Sequence, residues 1–326
     1  MSVPDSEIWA VTSYYNPTNS KRRLDNFRAF RESLNLPLAA VDWSWAKGPG
    51  HQLHMGDAEI LIHVSSTDLM WQKERLLNLA IRALPASCKY VCWLDCDVIF
   101  LNPRWSEDVV LELSRSQLLQ PYDTLINLDA NFQPVQAGLP GGGTRFPIGD
   151  RSRWAHYPED FLQHNFTKVQ VASGYAWAAH APLLKKHGLY DACIMGSGDR
   201  AIFYAAIGRF DDAAAYLRMG SRWRDHYLNW AVPFFQDVAG RTSWVKGEMR
   251  NLWHGDILLR RYEQRHRQFE CFGFDPHTDI VEGGEGTWIW ATAKPDMHVS
   301  VEDYFFSRKE DLEPAGTHPG HLDDRG

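Results

Sequence analysis

The feature that most constrains the fold is the order of apolar runs in the first hundred residues. Ile8–Ser13, Leu38–Val41, Glu59–Val64 and Tyr90–Leu94 read as short strands. Leu24, Phe27, Phe30 and Leu34, and later Leu76, Leu77, Ala80, Ile81 and Leu84, recur at helical spacing between them. Short apolar strands interleaved with helices pair in parallel, because the helices carry the chain back across the sheet faces. The expected fold class is therefore α/β, with a Rossmann-like, mostly parallel central sheet flanked by helices. Beyond about residue 105 the pattern is less regular: Val169–Ala178 reads as strand, Arg200–Ile207 and Ile257–Arg267 as helix. A single domain over 1–308 is expected, with halves meeting near 104 and a polar tail at 309–326. The Gly/Pro-rich stretch Ala137–Gly149 reads as a long loop.

With 326 residues, 44% of them apolar and 23% charged, the chain has a globular composition, which excludes a wholly disordered or collagenous reading. The net charge of −7 provides no global attraction to nucleic acid or anionic membrane. Met1–Trp9 has no basic start followed by an apolar run, and no stretch has transmembrane length and apolarity, so a cytoplasmic protein is expected. The five cysteines form no CxxC pair, and three crowd together as Cys88, Cys92 and Cys96. Reduced thiols are expected, without a disulfide framework or zinc site. Asn165-Phe166-Thr167 matches a glycosylation acceptor, which carries weight only in a secreted chain.

The most informative segment is Tyr90–Pro103, where an apolar strand runs into Asp95-Cys96-Asp97. In extended chain, residues two apart project to the same face, and ligands in parallel sheets bind at the strands' carboxyl ends. Two carboxylates so close repel each other unless a cation lies between them. Mg²⁺ or Mn²⁺, held by one or two carboxylates plus substrate phosphates, resolves the repulsion. The alternative is an aspartate-rich turn that merely caps the next element.

The stretch Trp71–Pro103 resembles the donor-binding half of nucleotide-sugar-dependent glycosyltransferases of the GT-A fold, in which a helix bearing basic and Asn residues precedes a strand ending in D-x-D. Val171–Leu184, followed by Gly188–Tyr204, is similar to the acceptor half of β-1,4-galactosyltransferase-like and family 2-like enzymes. The resemblance implies that Asp95 and Asp97 hold a divalent metal, Mn²⁺ or Mg²⁺, that bridges the donor diphosphate. It places Lys73, Arg75 and Asn78 near donor phosphate or sugar, although a basic helix face is more often only solvated. Asp199, in Gly196-Ser197-Gly198-Asp199, matches the family's acceptor-side acid and implies a general base. The family has two or three consecutive acids there; this chain has Asp199 followed by Arg200, and Asp199 also suits a helix cap. His254 matches a downstream third metal ligand, and imidazole with two carboxylates favours Mn²⁺. Asp256 is placed to orient that imidazole or to cap the next helix, and Arg260 to reach the diphosphate. By position alone, Tyr14 ends the first strand where the family holds the base, and Asp42 is placed to accept from uracil N3–H.

The resemblance implies transfer of a sugar from a nucleotide-sugar, a UDP-sugar by expectation, to an acceptor hydroxyl with inversion. Trp177 and Trp253 are candidates to stack on sugar or base, and the glycine-rich loop at 138–143 to close over donor. The acceptor is left open between a saccharide, another hydroxyl compound and hydroxylated bases of DNA. The DNA option rests on interleaved basic and aromatic residues in Arg218–Trp230 and Arg260–Arg267. Two rivals remain: a nucleotidyltransferase or phosphohydrolase using D-x-D with Mg²⁺, and a nucleotide-sugar-binding protein without catalysis. Oligomeric state is not readable.

Overall fold

The structure is a computed structural model that describes residues 4–153 and 171–311. The Asn165-Phe166-Thr167 triplet, Val169 and residues 312–326 of the expected tail lie outside the described residues. In chain order the strands are β1 (Ile8–Tyr15), β2 (Leu38–Trp45), β3 (Ile60–Ser66), β4 (Tyr90–Leu94), β5 (Val98–Phe100), β6 (Leu118–Gln120), β7 (Thr124–Asn127), β8 (Thr144–Pro147), β9 (Val171–Ala172), β10 (Ala176–His180), β11 (Thr242–Trp244), β12 (Glu248–Asn251), β13 (Ile280–Glu282) and β14 (Trp288–Trp290). The main sheet has seven strands in the order β11-β6-β10-β4-β1-β2-β3. β3, β2, β1 and β4 are mutually parallel, and β10 runs antiparallel between β4 and β6. The class is α/β with a mostly parallel sheet, as the strand–helix alternation predicts.

Side-chain alternation divides the core in two. Trp9, Val11, Val41, Trp43, Val91 and Trp93 face one side. Ala10, Tyr14, Leu38, Ala40, Cys92 and Leu94 face the other. The second face is covered by α1 (Lys21–Ser33), through Phe27 and Phe30, and later in the chain by α3 (Trp105–Leu113). The first is covered by α2 (Lys73–Ala83) and the helices of the second half. Trp93 stacks on Trp177 of β10 with centroids 6.3 Å apart. Burying each such ring contributes on the order of 2–3 kcal/mol. Ser20 caps α1 by accepting from the Arg23 N–H at 3.2 Å.

The less regular half contains a second sheet, ordered β5-β12-β7-β8-β9. Several local expectations change here. Val171–Ala178 is not one strand but β9 and β10 separated by Ser173–Tyr175. Ile257–Arg267 is a 3-10 turn, Ile257–Arg260, followed by a helix, Tyr262–Phe269. Arg261 breaks the two with φ of 43°. The Gly/Pro-rich loop contributes β8. At the end of the domain, Glu310 of the expected tail is buried, ion-paired with Arg23 and Arg308, and Asp311 accepts from Ser20 Oγ at 2.7 Å. Among the described residues the cysteines are free; four are buried and Cys271 is exposed. No helix among them is long and apolar enough to cross a membrane.

Candidate functional site

Strands β1 and β4 end on a cavity of about 600 Å³. Ser13 and Tyr15 of β1 and Asp95–Asp97 after β4 form its floor. The D-x-D does not continue as strand: Cys96 and Asp97 form a turn that swings the chain from β4 into β5 of the second sheet. Backbone hydrogen bonds from Asp95 N to Tyr175 O (2.7 Å) and from Leu252 N to Asp97 O (2.8 Å) fix the turn. Both carboxylates reach the cavity, through a turn rather than through the two-residue period of a strand.

Lys73, the first residue of α2, joins three segments. Its Nζ lies 2.5 Å from Asp95 Oδ1 and 3.0 Å from Asp199 Oδ2. Burial alone would depress this ammonium, but Asp199 and Asp95 outweigh it and hold it well above its usual range. Asp199 lies in the first turn of the helix Gly198–Ala206. Its carboxyl is pushed up by burial and by Asp95, with Lys73 opposing. Two residues beside these carboxylates sit in left-handed backbone, Ser197 at φ 70° and Tyr175 at φ 79°. Such conformations cost about 1–3 kcal/mol each for non-glycine residues and concentrate at functional sites.

Asp97 is buried, and His254 Nδ1 lies 3.2 Å from its Oδ2. Burial first, and then repulsion from Asp95, push the Asp97 carboxyl up to about 7 against the pull of Arg23, Arg260 and Lys73. Burial, with Arg260 and Arg23, holds His254 well below its ordinary range, so its imidazole is neutral. Its Nδ1 faces the Leu252 carbonyl at 3.0 Å, and the Arg260 guanidinium contacts Nε2. A neutral imidazole beside a buried carboxylate that is repelled by a second one is a donor set that fits a divalent cation. The three-ligand set is not gathered, however: Lys73 holds Asp95, and Arg260 occupies His254.

Seven predicted residues do not line the cavity. Tyr14 projects to the α1 face, where its hydroxyl donates to Gln52 Oε1 at 2.6 Å. Its neighbours Ser13 and Tyr15 line the cavity instead, one residue away in a period of two. Asp42 lies in the middle of β2, opposite Tyr14, and its Oδ2 accepts from the Gln52 and Leu53 N–H groups at 2.7 and 2.8 Å. Arg75 is turned away: it packs 4.2 Å over the Trp288 ring and pairs with Asp191 and Glu282. Asn78 donates to Leu189 O at 2.9 Å and accepts from Leu189 N at 2.7 Å, a structural clasp. Trp177 belongs to the core, and the Trp253 ring faces Arg22 at 5.3 Å. Asp256 caps the 3-10 turn, accepting from Leu258 N at 2.8 Å.

The structure adds residues that the sequence pattern does not single out. Arg23, Arg145, Arg200, Arg265 and Arg308 join Lys73 and Arg260 in the wall, against Asp95, Asp97, Asp199 and Glu263. The cavity thus has three more formal positive than negative side chains, in a chain of net charge −7. Trp71, Tyr175 and Tyr304 supply aromatic surface. The basic-aromatic stretch Arg218–Trp230 is divided between core and surface: Trp223 and Tyr227 are buried, while Arg222 and Arg224 pair with Asp275 and Asp211.

No protein-family model and no curated protein matches the chain. Solved structures do. TarS of S. aureus in complex with UDP-GlcNAc has a TM-score of 0.37 at 11% identity over 93% of this chain and 82% of that one. Another TarS structure is matched over only 56% of its length, at TM-score 0.33, 12% identity and 65% of this chain. Glucosyl-3-phosphoglycerate synthase of Mycobacterium tuberculosis, with Mn²⁺, UDP and phosphoglyceric acid, has a TM-score of 0.34 at 13% identity over 90% of each chain. A 4-diphosphocytidyl-2C-methyl-D-erythritol synthase of Anaerococcus prevotii has 0.31 at 11% identity, over 76% of this chain and 89% of that one.

Proposed function

We propose that the chain is a metal-dependent glycosyltransferase that moves a sugar from a nucleotide-sugar, a UDP-sugar by preference, to an acceptor hydroxyl with inversion. The observation that carries this reading is the cavity at the carboxyl ends of β1 and β4: Lys73 bridges Asp95 and Asp199, Asp97 lies beside them, and the wall has a positive excess. A dianionic or trianionic ligand with a neutral sugar suits that field, and about 600 Å³ accommodates it.

Asp95, Asp97 and His254 would hold the divalent cation, Mn²⁺ before Mg²⁺ for this donor set. When bound, it supplies Lewis-acid stabilisation of the departing diphosphate. Arg260, Arg23 and Arg308 flank that end of the cavity and offer charge-assisted hydrogen bonds to phosphate. Asp199 takes the acceptor hydroxyl's proton as the oxygen bonds to the anomeric carbon and the bond from that carbon to the diphosphate oxygen breaks. Burial raises the Asp199 carboxyl above its ordinary range, which strengthens it as a base, and Lys73 opposes that rise. Tyr175, Trp71 and Tyr304 limit water around the reacting atoms. The acceptor is a saccharide or another hydroxyl compound.

Calorimetric titration with UDP in the presence of Mn²⁺, paired with a nucleotide-sugar hydrolysis assay, tests the reading. Binding that needs Mn²⁺ and vanishes in Asp97→Ala supports it, and sugar release marks an active enzyme. Full binding and hydrolysis in Asp97→Ala would overturn it. Release of pyrophosphate from a nucleoside triphosphate would assign a nucleotidyltransferase instead.

A further inference from the structure

On the α1 face of the sheet, away from the cavity, Asp42, His51 and His63 each offer one ligand atom, and all three atoms lie within 4.8 Å of one another. Asp42 and His63 are register neighbours on β2 and β3, and His51 comes from the connection between those strands. His51 Nδ1 and His63 Nε2 each lie 3.8 Å from Asp42 Oδ2. The two imidazoles stack with centroids 4.4 Å apart and planes 11° from parallel. Asp42 is 1% exposed, yet its Oδ1 has no hydrogen-bond partner among the described residues, and neither has the buried His51 Nδ1. A buried carboxylate oxygen left unpaired carries an uncompensated desolvation cost, and with an unpaired imidazole nitrogen facing the same carboxylate it asks for a ligand.

We propose that Asp42, His51 and His63 form a second metal site, specific for a borderline divalent cation of the zinc class and distinct from any ion at Asp95 and Asp97. Two imidazoles and one carboxylate suit Zn²⁺, and by geometry Co²⁺, far better than the oxygen-seeking Mg²⁺. Asp42 Oδ2 keeps its hydrogen bonds from the Gln52 and Leu53 N–H groups, which orient the carboxylate toward the ion. His63 Nε2, now 3.0 Å from the Leu53 carbonyl, would face the ion in the tautomer that carries its proton on Nδ1. The ion ties the β2–β3 connection to the sheet. That connection also supplies Gln52, whose Oε1 accepts from Tyr14 and from Asn16 at 2.6 and 2.7 Å.

The test is titration of the full chain with ZnCl₂ alone, with Co²⁺ as a spectroscopic substitute. One equivalent of Zn²⁺, visible d–d absorption with Co²⁺ and a higher Tm are expected. His51→Ala and His63→Ala should each weaken Zn²⁺ at least tenfold and abolish the Tm rise, while His254→Ala leaves both. These histidines are partly exposed, so the variants should fold even where Asp42→Asn does not. Unchanged uptake in both histidine variants would reduce the site to adventitious surface binding and overturn the proposal. Loss of uptake in His254→Ala alone would place the ion in the cavity and overturn it equally.

Discussion

Replacing Lys73 by Met isolates what its ammonium does in the cavity. The side chain is 13% exposed and meets Asp95 and Asp199, which are 29% and 16% exposed. Removing one partner of a buried charge cluster costs about 3–5 kcal/mol, because the remaining charges stay desolvated and unpaired. The residual exposure of Asp95 lets water screen part of that, so a loss of about 3 kcal/mol at pH 7 is expected, at the low end of the range. The pH dependence carries a sign. Burial already raises the Asp199 carboxyl, with Lys73 opposing. Without Lys73 it rises further, and the folded variant takes up a proton that the unfolded chain does not hold. The contribution of the Lys73–Asp199 pair is therefore present above the carboxylate range and shrinks as the pH falls through it. Urea unfolding of both proteins in EDTA at pH 7 and pH 5 measures this. A deficit below about 1 kcal/mol at pH 7, well under the range for such a cluster, or one equally large at both pH values, would refute the reasoning.

Other perturbations read other parts of the argument. Asn78→Ala should cost about 2 kcal/mol in chemical denaturation, since it strands both backbone groups of Leu189, and should leave UDP affinity unchanged. Gly142→Ala places a Cβ 1.8 Å from the Gln136 carbonyl oxygen; limited proteolysis should then cut at 136–143 at least several-fold faster, with little change in global Tm. His226, pushed down to about 4 by burial and by His277 against Asp275, stays neutral when folded. Wild-type stability should fall as the pH drops from about 6.5 to about 4, where only the unfolded chain binds that proton. Thermal scans of His226→Gln should lack that component.

The parallel sheet was legible because β1, β2 and β4 are largely apolar on both faces, which only a doubly covered sheet tolerates. The place of Asp95 and Asp97 in the cavity wall was legible because they follow β4, and strand ends of such sheets open onto crevices. Tyr14 failed for a reason equally local: with a side-chain period of two, an offset of one residue exchanges cavity for core, and Ser13 and Tyr15 took its place. Arg75 and Asn78 failed because the partners that claim them, Trp288, Asp191 and Leu189, lie more than a hundred residues away. No window along the chain contains such contacts. Arg23 and Arg308 were missed likewise. Each is an ordinary basic residue in sequence, and they meet only because Glu310 brings the end of the described chain onto α1.

The arrangement of Lys73 implies one more consequence, argued from competition. A cation that enters between Asp95 and Asp97 must draw Asp95 from an ammonium 2.5 Å away, so Mn²⁺ alone should bind weakly. A diphosphate changes the balance, since its oxygens offer Lys73 and Arg260 an alternative partner and leave Asp95 and His254 free for the ion. Mn²⁺ and UDP should therefore bind cooperatively, and linkage requires each to tighten the other by the same factor. A coupling of about 1–3 kcal/mol, roughly 5- to 150-fold, is the usual range for such linked sites. Titrating Mn²⁺ with and without saturating UDP, and UDP with and without saturating Mn²⁺, gives that factor twice. In Lys73→Met the competitor is gone, so Mn²⁺ alone should bind more tightly and the coupling should shrink. Equal Mn²⁺ affinity in wild type and Lys73→Met would show that the ammonium does not guard Asp95.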